Sequence, residues 1–356
     1  MRIEISKVTI GLEIGTRAIK AVELLHKRKN YELRKLVKIK LPYEKEREVA
    51  VFEALRTLIR DHRINTRRIV LGIGGDSVIV RRINFPQMKR REFERAIKWE
   101  AEKYIPYSID EICMDFHILK ETPEKRGELS VILVGVKKEV VENSLKLLQK
   151  VDIVPQIVDA NVLALYNVFN LSYKGGIKKA AILEIGHNTT TLILMSKGNI
   201  FLVRNINLGG ALFTQNLAQE LKMNYPDAEQ VKEKCGFLIP SERAETTREI
   251  ELREKVDKIM RKSMDPLVEE VIKSFDYYTS QTKGERIEKV ILSGGSSCLP
   301  NADKFLSEEL GIPVIIGNPF EGIIYNKEKF SPFSLATIGP LFSVGVGLAL
   351  RRISSL

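Results

Sequence analysis

The sequence is poor in the residues that commit a chain to disulfide, metal or covalent catalytic chemistry. Its three cysteines, Cys113, Cys235 and Cys298, are too widely spaced for a local CxxC ligand pair, and an odd number argues against a disulfide framework. A reducing compartment is expected. The four histidines, His26, His62, His117 and His187, form no cluster, and a lone His187 reads as a turn residue. There is no GxxxxGKS or GxxxxGKT, no HExxH and no Ser-His-Asp arrangement, which excludes P-loop chemistry in its usual form. The opening MRIEISKVTIGLEIG is partly acidic and lacks the basic and apolar regions of a secretory signal, so a cytoplasmic location is expected. The one long apolar stretch, Phe333 to Leu350, is interrupted by Gly339, Pro340, Gly345 and Gly347; it reads as buried loop and helix, not as a membrane span.

What is present is enough to fold. The chain has 356 residues, 44% hydrophobic and 29% charged, which favours two or more packed lobes over a single small core. Lys and Arg outnumber Asp and Glu by 57 to 46, leaving +11, a balance that suits an acidic partner or an anionic membrane surface. Networked surface charge of the heat-adapted kind would produce the same composition. Nucleic-acid binding is not expected.

The tetrapeptide Leu-Glu-Ile-Gly occurs at 12–15 and again at 183–186, 171 residues later, or nearly half the chain. Each copy sits in a β-rich run, VTIGLEIGTRAIKAVEL and AAILEIGHNTTTLILMS, with its glycine at the turn between two strand-like segments. Two similar hairpins in two related lobes follow. Between them, Glu46 to Arg60 predicts a helix, RIVLGIGGDSVIVRRINFP two strands around a Gly74-Gly75 turn, and Lys89 to Tyr104 an amphipathic helix ended by Pro106. On that helix Phe93, Ile97, Ala101 and Tyr104 share a face, while Trp99 is offset from it and is expected to pack at a lobe boundary, with binding of a partner as the alternative. EICMDFHIL and LSVILVGV predict strands around a polar turn, KKEVVENSLKLLQKV a helix and DIVPQIVDA a strand. After the second hairpin come the helices ALFTQNLAQELKM and DAEQVKEKCG, a charged run from Ser241 to Lys262, and a helix through DPLVEEVIKSFDYYTSQ. KVILSGGSSCLP is strand then glycine turn, followed by the helix NADKFLSEELG.

Three glycine turns therefore follow β-rich runs: Gly11 to Thr16, Gly186 to Thr190 and Gly294 to Ser297. Glycine permits close backbone approach to a ligand, and successive turn amides make an anion nest. Two such hairpins face to face would grip a triphosphate, with Lys20 as counter-charge. Glu13 and Glu184, just before the turns, are placed to hold Mg²⁺ through water, because that ion retains several waters and borrows few carboxylates.

The order of the three turns resembles that of the superfamily of actin, the heat-shock chaperones and the sugar kinases. GLEIGTRAIKAVEL resembles its first phosphate motif, LEIGHNTTTLILMSKG its second and ILSGGSSCLPNADKFLSEELGIPV its adenosine motif, while DANVLALYNVF and ATIGPLFSVGVGLAL resemble the two helices at the hinge. Within the superfamily the chain is most similar to the PilM family of type IV pilus assembly proteins: AIKWEAEKYIPYSIDEICMDFHIL resembles that family's characteristic segment, and NPFEGI resembles its ending. The resemblance implies a two-lobed α/β fold with a duplicated actin-like core. The first core would comprise 1–82 with 158–176 and 325–356, a small α/β insert 83–157, the second core 177–213 with 286–324, and a helical subdomain 214–285. It implies ATP with Mg as ligands. Gly15, Thr16, Arg17 and Lys20 would face the phosphates from one lobe and Gly186, His187, Asn188 and Thr189 from the other. Gly294, Gly295 and Ser296 would border the nucleoside, and AEQVKEKCG resembles the helix flanking the base, nominating Glu229, Lys232 and Glu233.

The departures concern turnover. Both motif aspartates of the superfamily are glutamates here, and displacing a catalytic group by ~1 Å can cost ~10²-fold in rate. An ungapped match to actin puts Ala160 in place of its water-positioning glutamine, and alanine cannot orient a nucleophile. ATP binding with slow or no hydrolysis is expected. The resemblance further implies that a groove between insert and first core holds the short cytoplasmic tail of a PilN-like inner-membrane protein, making membrane contact indirect. It also admits the pilus assembly ATPases as partners. Two other readings stand beside it. An FtsA-like division filament is one, against which the polar ending LALRRISSL directly after the hinge helix argues. A sugar-kinase-like phosphotransferase is the other; it would need an aspartate base, for which Asp159 is the candidate.

Overall fold

The computed structural model describes residues 7–28, 30–119, 127–173, 178–238 and 247–353. The chain opens with an antiparallel meander of β1 (Lys7–Ile14), β2 (Ala18–His26) and β3 (Tyr31–Lys40), then α1 (Arg47–Arg60) and β4 (Ile69–Ile73). β4 runs parallel to β1 and all five of its residues are buried, as a strand covered on both faces requires. At Gly74-Gly75 the chain leaves this sheet. β5 (Val78–Pro86), α2 (Arg90–Ala101), β6 (Ile112–Ile118) and β7 (Glu128–Lys137) build a separate three-stranded antiparallel sheet, β5-β7-β6, under α2. The two strands around Gly74-Gly75 thus belong to different sheets, which hydrophobic patterning alone does not reveal. After α3 (Lys138–Gln149), β8 (Ile157–Ala160) returns beside β4, and α4 (Asn161–Ser172) leads to the second half.

The second half repeats the wiring. β9 (Ala180–Ile185), β10 (Thr190–Ser196) and β11 (Asn199–Ile206) form a meander, followed by α5 (Gly210–Leu221), α6 (Tyr225–Cys235), α7 (Thr247–Gln281), β12 (Lys289–Ser293), α8 (Ala302–Leu310) and β13 (Val314–Ile316). The order β11-β10-β9-β12-β13 matches β3-β2-β1-β4-β8 strand for strand, with β12 parallel to β9 as β4 is to β1. β14 (Ile323–Tyr325) then pairs with β3, making the first sheet six-stranded, and α9 (Pro332–Ile338) and α10 (Ser343–Ala349) carry the chain back into the first core. The duplicated α/β core implied by the repeat is the observed architecture.

Several expectations shift. The sequence boundaries at 83, 214 and 325 fall inside β5, α5 and β14, because strand and helix membership is set by partners distant in sequence. The charged run and the helix after it form one helix, Thr247–Gln281, that passes through Pro266. An unbroken stripe of Val256, Met260, Met264, Leu267, Val271 and Tyr278 buried beneath the second sheet holds it together despite the missing N–H. On α2, Phe93, Ile97 and Ala101 are buried, but Trp99 is 76% exposed and Tyr104, beyond the helix end, 37% exposed; Trp99 does not pack. The polar turn at 120–126, the first part of the charged run at 241–246, and positions 1–6 and 354–356 lie outside the described residues.

One stretch, Pro332–Ala349, has the length and hydropathy (mean 1.5) of a membrane span, yet it is 61% buried and divided into α9, a short turn and α10. Every residue of α10 is buried. Glycines allow it to touch backbone on both sides: a Cβ on Gly11 would stand 2.0 Å from Gly345 O, and one on Gly347 2.0 Å from Ala164 O. Gly11 is therefore a packing glycine within β1 and not part of the turn above it.

Candidate functional site

The two repeated hairpins end in the same turn. Gly15 N donates to Ala18 O at 3.0 Å and Gly186 N donates to Thr189 O at 3.0 Å. A Cβ at either glycine would come within 2.9 or 2.8 Å of the accepting oxygen, so both turns require glycine. The turns face one another across a cavity of about 420 Å³, within the range of small-molecule sites. Glu13, Gly15, Thr16, Arg17, Lys20, Glu184, Gly186, His187, Asn188, Thr189, Glu229, Lys232, Glu233, Gly295 and Ser296 all line it. Gly11 and Gly294 do not. Gly294, at φ +86, seats the turn from behind, where a side chain would strike Ile185 O and the Glu184 carboxylate.

Antiparallel register sets the charge pattern. In the first hairpin Glu13 lies opposite Lys20, and Lys20 Nζ stands 2.6 Å from Glu13 Oε1 while donating to Leu341 O at 2.9 Å. In the second, the residue opposite Glu184 is Thr191, whose hydroxyl bonds Asn205 Oδ1 at 3.3 Å. Glu184 thus has no cation on its own hairpin. Burial first, then the Glu13 charge, pushes its pKa up to about 7. Glu13 Oε2 is buried without a hydrogen-bond partner. Two neighbouring carboxylates, with Lys20 paired to Glu13 and Glu13 Oε2 orphaned, form a site that a hydrated divalent cation would complete. Among the described residues no three metal-ligating side chains converge, so water would have to supply most of such an ion's ligands.

The lining also favours anions. Six lysines and arginines, Arg17, Lys20, Lys38, Lys40, Arg47 and Lys232, face four carboxylates. Lys38, Lys40 and Arg47 were not apparent from sequence, because they stand on a surface-like strand and a helix start far from any glycine motif. Lys232 is 4% exposed and fully engaged: it donates to Gly210 O at 3.0 Å and Thr214 Oγ1 at 2.7 Å, and pairs with Glu229 at 2.7 Å. An ammonium has three hydrogens, so Lys232 acts as the anchor between α5 and α6. Burial opposes the Glu229 charge, but Lys232 and the Thr214 hydroxyl more than offset it and hold that carboxyl below its ordinary range. Burial also lowers His187 to about 4, leaving the ring neutral at pH 7, with Nε2 3.5 Å from the Tyr225 hydroxyl.

Contacts between the lobes surround the cavity. Asn205 Nδ2 donates to Gly75 O at 2.9 Å and Lys40 pairs with Glu233 at 3.8 Å, while within the first lobe Arg17 lies 3.3 Å over the Tyr43 ring. Gly209 and Gly210 start α5 against the second turn, where Gly210 N and Ala211 N donate to Gly186 O and His187 O at 2.9 and 2.7 Å. At the start of α4, Ala160 is buried outside the cavity, whereas Asn161 lines it with Oδ1 lacking a hydrogen-bond partner. Asp159, the candidate phosphotransferase base, does not line the cavity and is bound to Arg351 at 3.0 Å.

Comparison with known proteins bears on the fold and the family. A structure of a PilM–PilN type IV pilus biogenesis complex contains a chain 27% identical to this one, with a TM-score of 0.82, covering 96% of this chain and 97% of that one. MreB5 of Spiroplasma citri bound to AMPPNP shares the fold, with a TM-score of 0.52 at 12% identity over 96% of this chain and 94% of its own. The cell shape-determining protein Mbl of Bacillus subtilis is 25% identical over 164 residues, 39% of this chain and 48% of Mbl. The chain spans about half the length of the curated relatives it matches. The model of the type IV pilus assembly protein PilM matches residues 11–353, which run through both lobes, and the chain belongs to that family.

Proposed function

We propose that this protein is an ATP-binding scaffold of type IV pilus assembly, positioned at the cytoplasmic face of the inner membrane by binding the short cytoplasmic tail of a PilN-like protein. The observation that carries the reading is likeness over nearly the full length of both chains to the PilM–PilN complex, at an identity high enough to extend past the fold. The groove between the three-stranded sheet and the first core is the proposed seat of the tail, and the pilus assembly ATPases are further partners to test.

The cavity is the proposed nucleotide site. The turn amides at 15–17 and 186–189, with Lys20 and Arg17, would hold the phosphates; Glu233, Gly295 and Ser296 would border the nucleoside. Glu13 and Glu184 would hold Mg²⁺ through water. When bound, the ion neutralises phosphate charge. Ala160, buried outside the cavity, cannot orient a water, and His187, lowered to about 4, is a poor base at neutral pH; with Glu184 engaged in holding the ion, slow or absent hydrolysis is the expected outcome. Binding would instead join the two lobes and set their relative position.

The test is fluorescence anisotropy of a labelled N-terminal peptide from the PilN-like protein of the same organism, with and without Mg-ATP. Saturable binding at micromolar strength, about −8 kcal/mol, absent for a scrambled peptide, is expected. No binding in either condition would overturn the assignment of the partner.

A further inference from the structure

The end of the first sheet opposite the cleft is strongly basic. β1 and β4 begin there, β2 turns into β3 there, and α1 and α10 end there. From these separate stretches the exposed side chains of Arg28, Arg63, Arg67 and Arg352 come to one surface. Backbone contacts tie the stretches together: His26 Nε2 lies 2.8 Å from Ala349 O, Lys35 Nζ donates to the carbonyls of His62 and Arg63 at 3.2 Å each, and Arg68 Nε donates to Val8 O at 3.0 Å. The neighbouring carboxylates are already neutralised, Glu32 by Lys27 and Arg34 at 2.5 and 3.2 Å, Glu23 by Lys35 at 3.4 Å and Asp61 by Arg60 at 2.6 Å. The field reaches inward: after burial, Arg352 and Arg68 help to hold His26 below its ordinary pKa.

We propose that this basic pole rests directly on an anionic phospholipid surface, adding an electrostatic contact to the tether through the PilN-like partner. The proposal rests on the reading that the protein works at the inner membrane. Basic side chains within a Debye length of an anionic leaflet each raise partitioning several-fold without any demand on geometry. Nucleic acid is less well suited, because single strands stack successive bases on exposed aromatic rings, and here His26 and Tyr31 are packed edge to face at 5.1 Å, which leaves His62 as the exposed ring. Seated in this way, the molecule turns the nucleotide cavity, at the opposite ends of β1 and β4, toward the cytoplasm.

The full chain is sedimented with vesicles of phosphatidylcholine alone and of phosphatidylcholine mixed with phosphatidylglycerol, without peptide, at rising salt. Binding only to the mixed vesicles, weakening with salt and falling roughly tenfold or more in the variant Arg63→Glu/Arg67→Glu/Arg352→Glu, is the expected result. No sedimentation of the unmodified protein with mixed vesicles at low salt overturns the proposal, as does binding unaffected by salt. Duplex and single-stranded DNA are titrated in parallel, and tighter salt-sensitive binding to either would reassign the pole to nucleic acid. Peptide anisotropy on the same variant separates the two readings: retained peptide binding with lost vesicle binding supports a separate lipid contact, and vesicle binding without peptide binding would remove the PilN-like tether alone.

Discussion

Tyr43, on the loop after β3, and Tyr225, in the first turn of α6, meet edge to face across the mouth of the cleft with 5.0 Å between ring centroids. Burial, then the Glu229 charge, pushes the Tyr43 pKa up to about 12, so its hydroxyl keeps its proton throughout the physiological range. With Lys40 and Glu233, the pair ties one lobe to the other beside the proposed nucleotide.

Removing that contact should speed exchange. An aromatic pair contributes about 0.5–1.5 kcal/mol beyond its buried area, so Tyr43→Ala or Tyr225→Ala is expected to release a fluorescent ATP analogue roughly two- to tenfold faster in stopped-flow measurements. An unchanged release rate in both variants would mean that the mouth does not control exchange.

The raised pKa of Glu184 makes a signed prediction about pH. Its native value of about 7 lies above the ordinary value of 4.5, so between these limits the folded state binds a proton that the unfolded state has lost. Stability contributed by this group therefore falls as pH rises from about 4.5 to about 7 and stays lost above, by about 3 kcal/mol at most. Thermal melts of ligand-free Glu184→Gln should show a smaller decline over that window and a higher Tm than the unmodified protein at pH 8. Parallel pH profiles for the two proteins would contradict it.

Lys20 should matter to both stability and ligand. Lys20→Ala leaves Glu13 buried and unpaired, which is expected to cost about 3 kcal/mol in urea unfolding and at least tenfold in ATP affinity by calorimetry. The double variant Glu13→Ala/Lys20→Ala should recover part of the stability but not the affinity. If the single and double variants bind ATP as tightly as the unmodified protein, the nucleotide site lies elsewhere.

Gly11 gives the converse. Its missing side chain faces α10, so Gly11→Ala should lower stability by about 1–3 kcal/mol through overpacking, with ATP affinity per folded molecule unchanged. A selective loss of affinity at full stability would return Gly11 to the binding site.

The repeat Leu-Glu-Ile-Gly made the two hairpins and their order legible before any coordinates, because a tight turn and the strand before it are local features. Which face a glycine serves is not local. Gly11 and Gly15 look alike in sequence, yet one admits a helix and the other closes a turn. Lys40, Tyr43, Asn161 and Tyr225 gave no signal, since ordinary surface residue types acquire a role only when lobes far apart in the chain are brought together. Trp99 is a related case: its offset from the apolar face was legible, but whether another lobe would cover it was not, and it stands exposed.

The contact of α10 with β1 and α4 has a mechanical consequence. Where Gly347 meets Ala164 and Gly345 meets Gly11, backbone rests on backbone, with Val22 and Leu348 packed beside the contacts. So close an approach lets α4, which carries the chain out to the second sheet, shift against α10 only by the small shear steps that packed helices allow. Because Asn161 of α4 and Val344 of α10 line the cavity, a shear of one helix on the other at its floor would be amplified into a wider displacement at the tyrosines on its rim.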